Sequence, residues 1–154
     1  MSLIAVPPNP TPEDDIDCGG FYPAISPAAA RAAMRLDGTV TAERLREALI
    51  IAAMSVMGEL QTWVDVQIAA GYATLADVPA ASVAGASAHV HRWHRAVHSL
   101  AAASLTERLR DYDTTNEGHQ QADKLTSTID ELRRDARWAI SGILGISRST
   151  VELI

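Results

Sequence analysis

The chain has 154 residues, 47% of them hydrophobic, and carries 19 acidic against 13 basic side chains for a formal net charge of -6. A chain of this length is expected to form one domain and to bury roughly 68–70% of the surface that its unfolded state exposes. The acidic balance argues against a surface dedicated to nucleic-acid phosphates, and the single cysteine, Cys18, excludes a disulfide framework and a thiolate metal cage.

The compartment is predicted from what the chain lacks. No segment is predicted to span a membrane, and residues 1–12 have neither the basic end nor the long apolar run of a signal peptide. One cysteine suits a reducing compartment. The protein is therefore expected to be made in the cytoplasm and to stay there unless it is carried out within an assembly.

The first part of the chain is rich in proline and acid. Six of the seven prolines lie within the first 27 residues, and four carboxylates stand among them. Because this mixture resists both helix and sheet, residues 1–25 are predicted to form a flexible arm. Ser26 followed by Pro27 is a favourable helix start, since the hydroxyl caps the first turn and proline needs no amide partner there. A short alanine-rich helix is expected to end near Asp37-Gly38.

The longest predicted helix runs from the capping residue Thr41 to Gly71, with Glu43 in the first turn, where the helix dipole favours an anion. Its inward stripe recurs at three- and four-residue steps and consists of Leu45, Leu49, Ala52, Val56, Leu60 and Trp63. Residues 72–85 are predicted to form a loop.

Two further helices follow. One is predicted from about Ser87 to Asp111, and the last starts after the turn at residues 116–118 and ends near residue 144. Each long helix carries one tryptophan, and these are expected to serve as core or interface anchors: Trp63, Trp93 and Trp138. Residues 26–144 are thus predicted to form an all-α helical bundle of three long helices and a short N-terminal helix, flanked by extended arms.

The carboxy-terminal tail, residues 145–154, ends in an apolar pattern. Val151 and Leu153 share one face of an extended segment, and Thr150 and Glu152 share the other, which is the period of a half-buried strand. A terminus of this kind gains nothing from large apolar residues unless they are covered. The tail is therefore expected either to fold back on its own core or to dock on another chain.

Four histidines are the strongest candidates for chemistry. They are His89, His91, His94 and His98, and the last two have the i, i+4 spacing that can hold zinc. No carboxylate or thiol lies between residues 82 and 106, so a third ligand would have to come from elsewhere. A polar helix face is therefore favoured over a metal site, with a pH-sensitive contact as the third interpretation.

The densest basic cluster consists of Arg133, Arg134 and Arg137, interleaved with acidic residues. Such a cluster faces DNA or an acidic partner in some proteins, but this pattern favours a solvated, ion-paired helix face. The sequence has no phosphate-binding glycine loop, no nucleophile elbow and no His-Glu-x-x-His helix. No cofactor is implied and an enzyme is not expected.

Several long runs resemble one protein family. They are residues 34–46 (MRLDGTVTAERLR), 70–79 (AGYATLADVP), 108–113 (RLRDYD), 132–140 (LRRDARWAI) and the ending TVELI. Together they are similar to the head-completion protein, called L, of temperate contractile-tailed phages. The similarity extends over about residues 20–154.

This resemblance implies a neck component of the virion, at the junction of head and tail. Such an adaptor assembles as a ring on the portal after DNA packaging, helps to retain DNA and gives the tail a docking surface. Its expected partners are the portal ring, further copies of itself in a twelve-fold ring, tail or neck proteins and packaged DNA in the lumen, with no membrane. Docking on the portal is assigned to residues of the tail: Arg148, Thr150, Val151, Leu153 and Ile154. The alternative function is that of a DNA-binding packaging factor.

Overall fold

The fold is taken from a computed structural model of the chain. It describes residues 13–36, 40–112 and 118–147, with the side chains of residues 109–112, 118–125 and 127 left aside. Four helices make up most of this part of the chain: α1 (Pro27–Met34), α2 (Ala42–Ala69), α3 (Ala88–Tyr112) and α4 (Gly118–Leu144). The prediction of an all-α helical bundle is confirmed.

The predicted helix starts are confirmed at the level of single hydrogen bonds. The Ser26 hydroxyl accepts a bond from the Ala29 amide at 3.3 Å, and Pro27 occupies the first helical position. Thr41 caps α2 in the same way, accepting from the Arg44 amide at 3.3 Å. Each cap satisfies an amide that has no partner within the helix, and this sets the residue at which the helix begins.

The helix ends agree with the prediction to within a few residues. α1 stops at Met34 because Arg35 adopts a left-handed conformation with φ 52°, so it ends before the predicted Asp37-Gly38, which lies outside the described residues. α2 ends at Ala69 rather than Gly71, and α3 and α4 begin within one residue of the predicted positions.

A short hairpin lies in the segment predicted to be a loop. Strands β1 (Ser82–Val83) and β2 (Ala86–Ser87) pair antiparallel. The two residues between them, Ala84 and Gly85, both have positive φ, at 50° and 79°, as a type I′ turn requires. Two-residue strands are too short to show an alternating pattern, so sequence periodicity could not find them.

The second half of the predicted flexible arm is packed into the fold. Ile16, Phe21, Tyr22 and Ile25 are buried in the core, and Cys18 is buried with them. Ile16 and Ile25 exchange two backbone hydrogen bonds of 2.8 and 3.0 Å, which closes residues 16–25 into a loop. The boundary between arm and body therefore does not fall at residue 25: residues 13–25 belong to the body, and residues 1–12 lie outside the described residues.

Polar contacts also tie this segment to the helices. Arg31 of α1 bridges to the Glu13 carboxylate at 3.2 Å and donates to the Val40 carbonyl at 2.9 Å. Arg46 of α2 donates to the Asp14 carbonyl at 2.9 Å. The acidic and proline-rich composition of this segment led to the prediction of a flexible arm. Burial of its four large apolar side chains stabilises the packed conformation instead.

The long helices pack in the order α2, α3, α4. α3 packs extensively against both neighbours, whereas α2 and α4 touch each other at few points. The predicted α2 stripe is confirmed as buried from Leu45 to Leu60, and Trp63 is half-buried against the same core. Alanines let α3 and α4 approach closely, since six of them are buried on these two helices: Ala96, Ala101, Ala102, Ala103, Ala136 and Ala139.

Candidate functional site

The four histidines of α3 form a row along the helix, and two of them contact neighbouring segments of the chain. The His91 ring Nε2 lies 2.7 Å from the carbonyl oxygen of Val83 in the hairpin. The His94 Nε2 lies 3.3 Å from the carbonyl oxygen of Ala24 in the N-terminal segment. Each ring donates to a backbone oxygen when its Nε2 carries the proton. These contacts support the interpretation of the row as a structural polar face.

The other two histidines have pKa values that burial lowers. His89 is buried and meets the Trp63 ring edge to face, with 5.5 Å between the ring centroids. Burial, followed by the nearby Arg92, lowers the pKa of His89. The His98 ring stacks on that of His94 with 5.9 Å between centroids, and burial followed by the nearby His94 lowers the pKa of His98 to about 4. In the described part of the chain, no group of three or more metal-binding side chains comes together.

The lowered pKa of His98 predicts a loss of stability in mild acid. The unfolded state takes up a proton near pH 6.5 and the folded state only near pH 4, so the contribution is intact above pH 6.5 and is lost as the pH falls towards 4. Because solvent still reaches the ring, we expect a loss of about 1–2 kcal/mol. Denaturant unfolding of the wild type and His98→Gln across this range measures it. The same pH slope in both proteins would contradict the assignment.

The basic cluster is largely ion-paired, as predicted. Arg133 of α4 bridges to Glu107 of α3 at 2.8 Å. Asp135 is shared by Arg134 at 3.5 Å and by Arg95 of α3 at 3.0 Å. Two of these pairs connect α3 to α4, and together the three neutralise much of the positive charge within the fold. Arg137 is exposed on α4.

The three tryptophans have three different environments. Trp93 is fully buried, stacks on Tyr22 at 4.4 Å between ring centroids and donates from its indole nitrogen to the Pro23 carbonyl at 3.1 Å. Trp63 is half-buried. Trp138 is 40% exposed, with the Arg134 guanidinium 4.6 Å from its ring centroid. Trp93 is therefore a core residue, whereas Trp138 presents an aromatic surface to the outside.

The predicted portal-binding residues cannot be placed in this fold. Arg148, Thr150, Val151, Leu153 and Ile154 lie outside the described residues, which end at Ser147. Just before them, Gly145 takes a left-handed conformation with φ 72° that ends α4, and Ile146 is 59% exposed. The assignment of the tail to the portal stays a prediction.

A large apolar surface on α2 was not singled out from the sequence. We define the outer face of α2 as Ile50, Ile51, Met54 and Gly58, which point away from the buried stripe. The three large side chains are 37%, 46% and 66% exposed. A signal was present, because α2 has apolar residues on both sides of the helix, more than one buried stripe requires.

The same composition makes α2 long and apolar enough to cross a membrane. Its most apolar 18-residue window has a mean hydropathy of 1.3, and 33% of that window is buried within the fold. No membrane span is predicted from the sequence, whereas α2 is a candidate by length and composition alone. Helices in the cores of soluble proteins pass the same test, and one stripe of α2 lies in the core.

Comparisons with known proteins identify the family of the chain. Residues 16–154 match the model of a family described as phage head completion protein (GPL). The chain belongs to the phage head completion protein family. It is similar to the head completion/stabilization protein of Escherichia phage P2, with 45% identity over 134 residues, 87% of this chain and 79% of the relative. No solved structure matches the chain.

Membership in the head completion protein family gives the chain a structural role in the phage head. The resemblance identified in the sequence is confirmed. Two exposed surfaces of the described residues are candidates for contact with other proteins, the outer face of α2 and the neighbourhood of Trp138, and the tail is a third candidate.

Proposed function

We propose that this chain is a virion neck component that assembles as a ring on the portal after DNA packaging, helps to retain the DNA and provides a docking surface for the tail. The observation that carries the proposal is the family match, which extends from residue 16 to the last residue and therefore includes the apolar tail. The relative from phage P2 is named for head completion and stabilization. Sealing a filled head requires contact with the opening through which DNA enters.

The tail is the proposed contact with the portal. Val151 and Leu153 on one face of an extended segment, with Ile154 at the end, suit the addition of a strand to portal β-structure. Main-chain hydrogen bonds would supply affinity, and pockets for alternate side chains would supply selectivity. Arg148 and Thr150 would contribute polar contacts at the start of this segment.

The energetics of one tail favour assembly as a ring. Burying the three apolar side chains contributes about 4–8 kcal/mol at best. Ordering about eight residues costs roughly 1–2 kcal/mol each before new hydrogen bonds form. A single tail would hold only weakly, whereas a ring of linked copies converts many weak insertions into firm attachment through effective concentration. A preformed portal is therefore a better template than a lone portal subunit.

Removing residues 147–154 is expected to leave a folded helical body that no longer binds the portal. The matched point variants are Val151→Asp with Leu153→Asp on one face of the tail, and Glu152→Gln on the other. The double variant should weaken portal binding by about 100-fold or more, since two apolar side chains of about 1.5–3 kcal/mol each are lost. Glu152→Gln should bind as the wild type does. Co-sedimentation with purified portal rings measures all three, and unchanged binding by the truncated chain would reject the tail mechanism.

The alternative function, a DNA-binding packaging factor, receives less support from the fold. Arg133 and Arg134 are ion-paired to carboxylates, and the net charge is -6. A factor that neutralises phosphates loses affinity steeply as salt rises. A filter-binding titration of the wild type and Arg137→Ala with salt would reveal such a dependence, and the neck assignment predicts that neither protein shows it.

A further inference from the structure

The outer face of α2 is an unpartnered apolar surface on an otherwise polar side of the helix. Met54 is the most exposed large apolar side chain of the described residues, and Ile51 is nearly half exposed. Gly58 lies one turn beyond Met54, and a Cβ added there would meet nothing within 4 Å. Glycine in a helix interior is destabilising relative to alanine. Contiguous exposed apolar surface of this kind marks an interaction site.

Carboxylates surround this apolar surface along α2. Glu43 and Glu47 lie one to two turns before Ile51 on the same side of the helix, and Asp65 lies about two turns beyond Gly58. Arg44 and Arg46 are the basic residues at this end, and Arg46 donates to the Asp14 carbonyl. The flanks of the outer face therefore carry more negative than positive charge, and a partner that covers the face should bring an apolar centre with basic flanks.

The outward side of α4 has this composition. We define the Trp138 face as Trp138, Arg134 and Arg137. Trp138 is 40% exposed beneath the Arg134 guanidinium, and Arg137 is exposed beside it. Arg92 of α3 adds a further cation, since its side chain lies where an added Cβ on Gly142 would come within 2.8 Å of its Nε.

The acidic residues of α4 do not cancel this charge at Trp138. Asp135 is already ion-paired with Arg95 and Arg134. Asp130 and Glu131 lie about two turns earlier, roughly 10–12 Å along the helix at 1.5 Å per residue. Tryptophan and arginine are the residues most enriched at the centres of interfaces. The Trp138 face is therefore the chemical complement of the outer face of α2.

The arrangement of the helices determines what contact between these faces would build. α3 lies between α2 and α4, which touch little, and each face lies on the side of its own helix away from the buried residues. One chain cannot bring its own faces together. A contact between unlike faces of successive copies is heterologous, and repetition of such a contact gives a ring when the rotation closes.

We propose that copies of this chain associate head to tail, with the outer face of α2 in one copy covered by the Trp138 face of the next. The inference deepens the proposed function, since it names the surfaces that join neighbours in the ring, and it rests on ring assembly. Gly58 lets a neighbouring side chain approach the α2 backbone.

Cross-linking between single cysteines tests this pairing without altering either face. In a Cys18→Ala background, Gln61→Cys places a thiol beside the outer face of α2 and Ser141→Cys places one beside Trp138. The cross-linker is a short bismaleimide, used at high protein concentration and on portal rings. An equal mixture of the two variants should give at least about ten times more cross-linked dimer than either variant alone gives, the ratio expected for a preference of about 1.4 kcal/mol. A chain carrying both cysteines should give a ladder of oligomers.

The same gels contain the results that would overturn the proposal. If Gln61→Cys alone cross-links as well as the mixture does, the outer face of α2 contacts the same face of another copy. The absence of mixed dimers, both in solution and on portal rings, would mean that the faces do not meet. Retained portal binding in that case would leave the neck assignment intact, whereas a ladder without portal binding would preserve the interface and reject the proposed function.

A blocking variant gives an independent measure. Gly58→Trp adds bulk where the monomer has open space, so the fold should be retained while the mixed cross-link falls by about tenfold or more. Ala32→Trp, at an exposed position on α1, is the matched control and should cross-link as the parent does. Normal cross-linking by Gly58→Trp would contradict the proposal, and so would loss of portal or lipid-vesicle binding with cross-linking unchanged, because the face would then serve that other partner.

Discussion

Replacing Trp93 by alanine is expected to lower the free energy of unfolding by about 3–5 kcal/mol, the largest effect of any single substitution described. The side chain is fully buried, its ring stacks on Tyr22 at 4.4 Å and its indole nitrogen donates to the Pro23 carbonyl at 3.1 Å. Truncation removes all of these contacts and leaves the carbonyl without its donor. Urea unfolding monitored by circular dichroism measures the loss.

Two controls separate these contributions. Trp93→Phe retains an aromatic ring for Tyr22 but lacks the indole donor, so its loss should be intermediate. Trp138→Ala removes the same side chain from a position that is 40% exposed, and we expect about 1 kcal/mol or less. Equal losses for Trp93→Ala and Trp138→Ala would contradict the distinction between a core tryptophan and a surface tryptophan.

Replacing Ile25 by alanine is expected to cost about 2–5 kcal/mol, because the side chain is fully buried although it lies in a segment that the sequence predicts to be a flexible arm. Its backbone is held by the pair of hydrogen bonds to Ile16, which limits the collapse of the surroundings into the cavity. The cost depends on how far such a site can relax. Chemical denaturation gives the value directly.

Ile51→Ala is the matched control, since it makes the same change on the outer face of α2, where the side chain is 46% exposed. Its effect on an isolated chain should be within about 0.5 kcal/mol. If Ile25→Ala were as mild as Ile51→Ala, residues 13–25 would not be part of the cooperative body. The comparison therefore tests the revised boundary at the start of the domain.

The helices could be predicted from the sequence because local signals agree with tertiary packing. Ser26 with Pro27 and Thr41 start helices through hydroxyl caps, and the stripe from Leu45 to Leu60 has the period that places one face in a core. Where capping and periodicity indicate the same boundary, the structure places the start of the helix within a residue of it.

The packing of the N-terminal segment depends on contacts that local patterns do not reveal. Phe21 and Tyr22 stack edge to face at 5.5 Å, and the Phe21 carbonyl accepts from the Leu75 amide at 2.8 Å, more than 50 residues along the chain. Prolines and acids near these residues lower helix and strand propensity without preventing burial. Composition therefore predicted irregular backbone correctly but could not predict that this backbone would be covered.

The candidate surfaces were predictable to different degrees. The ion-paired arginine face followed from alternating charge, and the structure pairs Arg133 across to α3 rather than along α4. Helical spacing separates the buried Trp93 from the exposed Trp138. Trp93 has Val90 and Val97 three and four residues away, whereas Trp138 has Asp135 and Arg134 at those steps. Which face of a helix remains uncovered depends on how many helices surround it, and this is a property of the whole fold.

The measurement that tests the account most directly is the molar mass of the chain alone and in the presence of purified portal rings, by light scattering and electron microscopy. We predict that free chains associate weakly and that portal rings bind a complete second ring, with the chain's tail at the contact. Portal rings that bind no ring of this chain at saturating concentration would contradict the account.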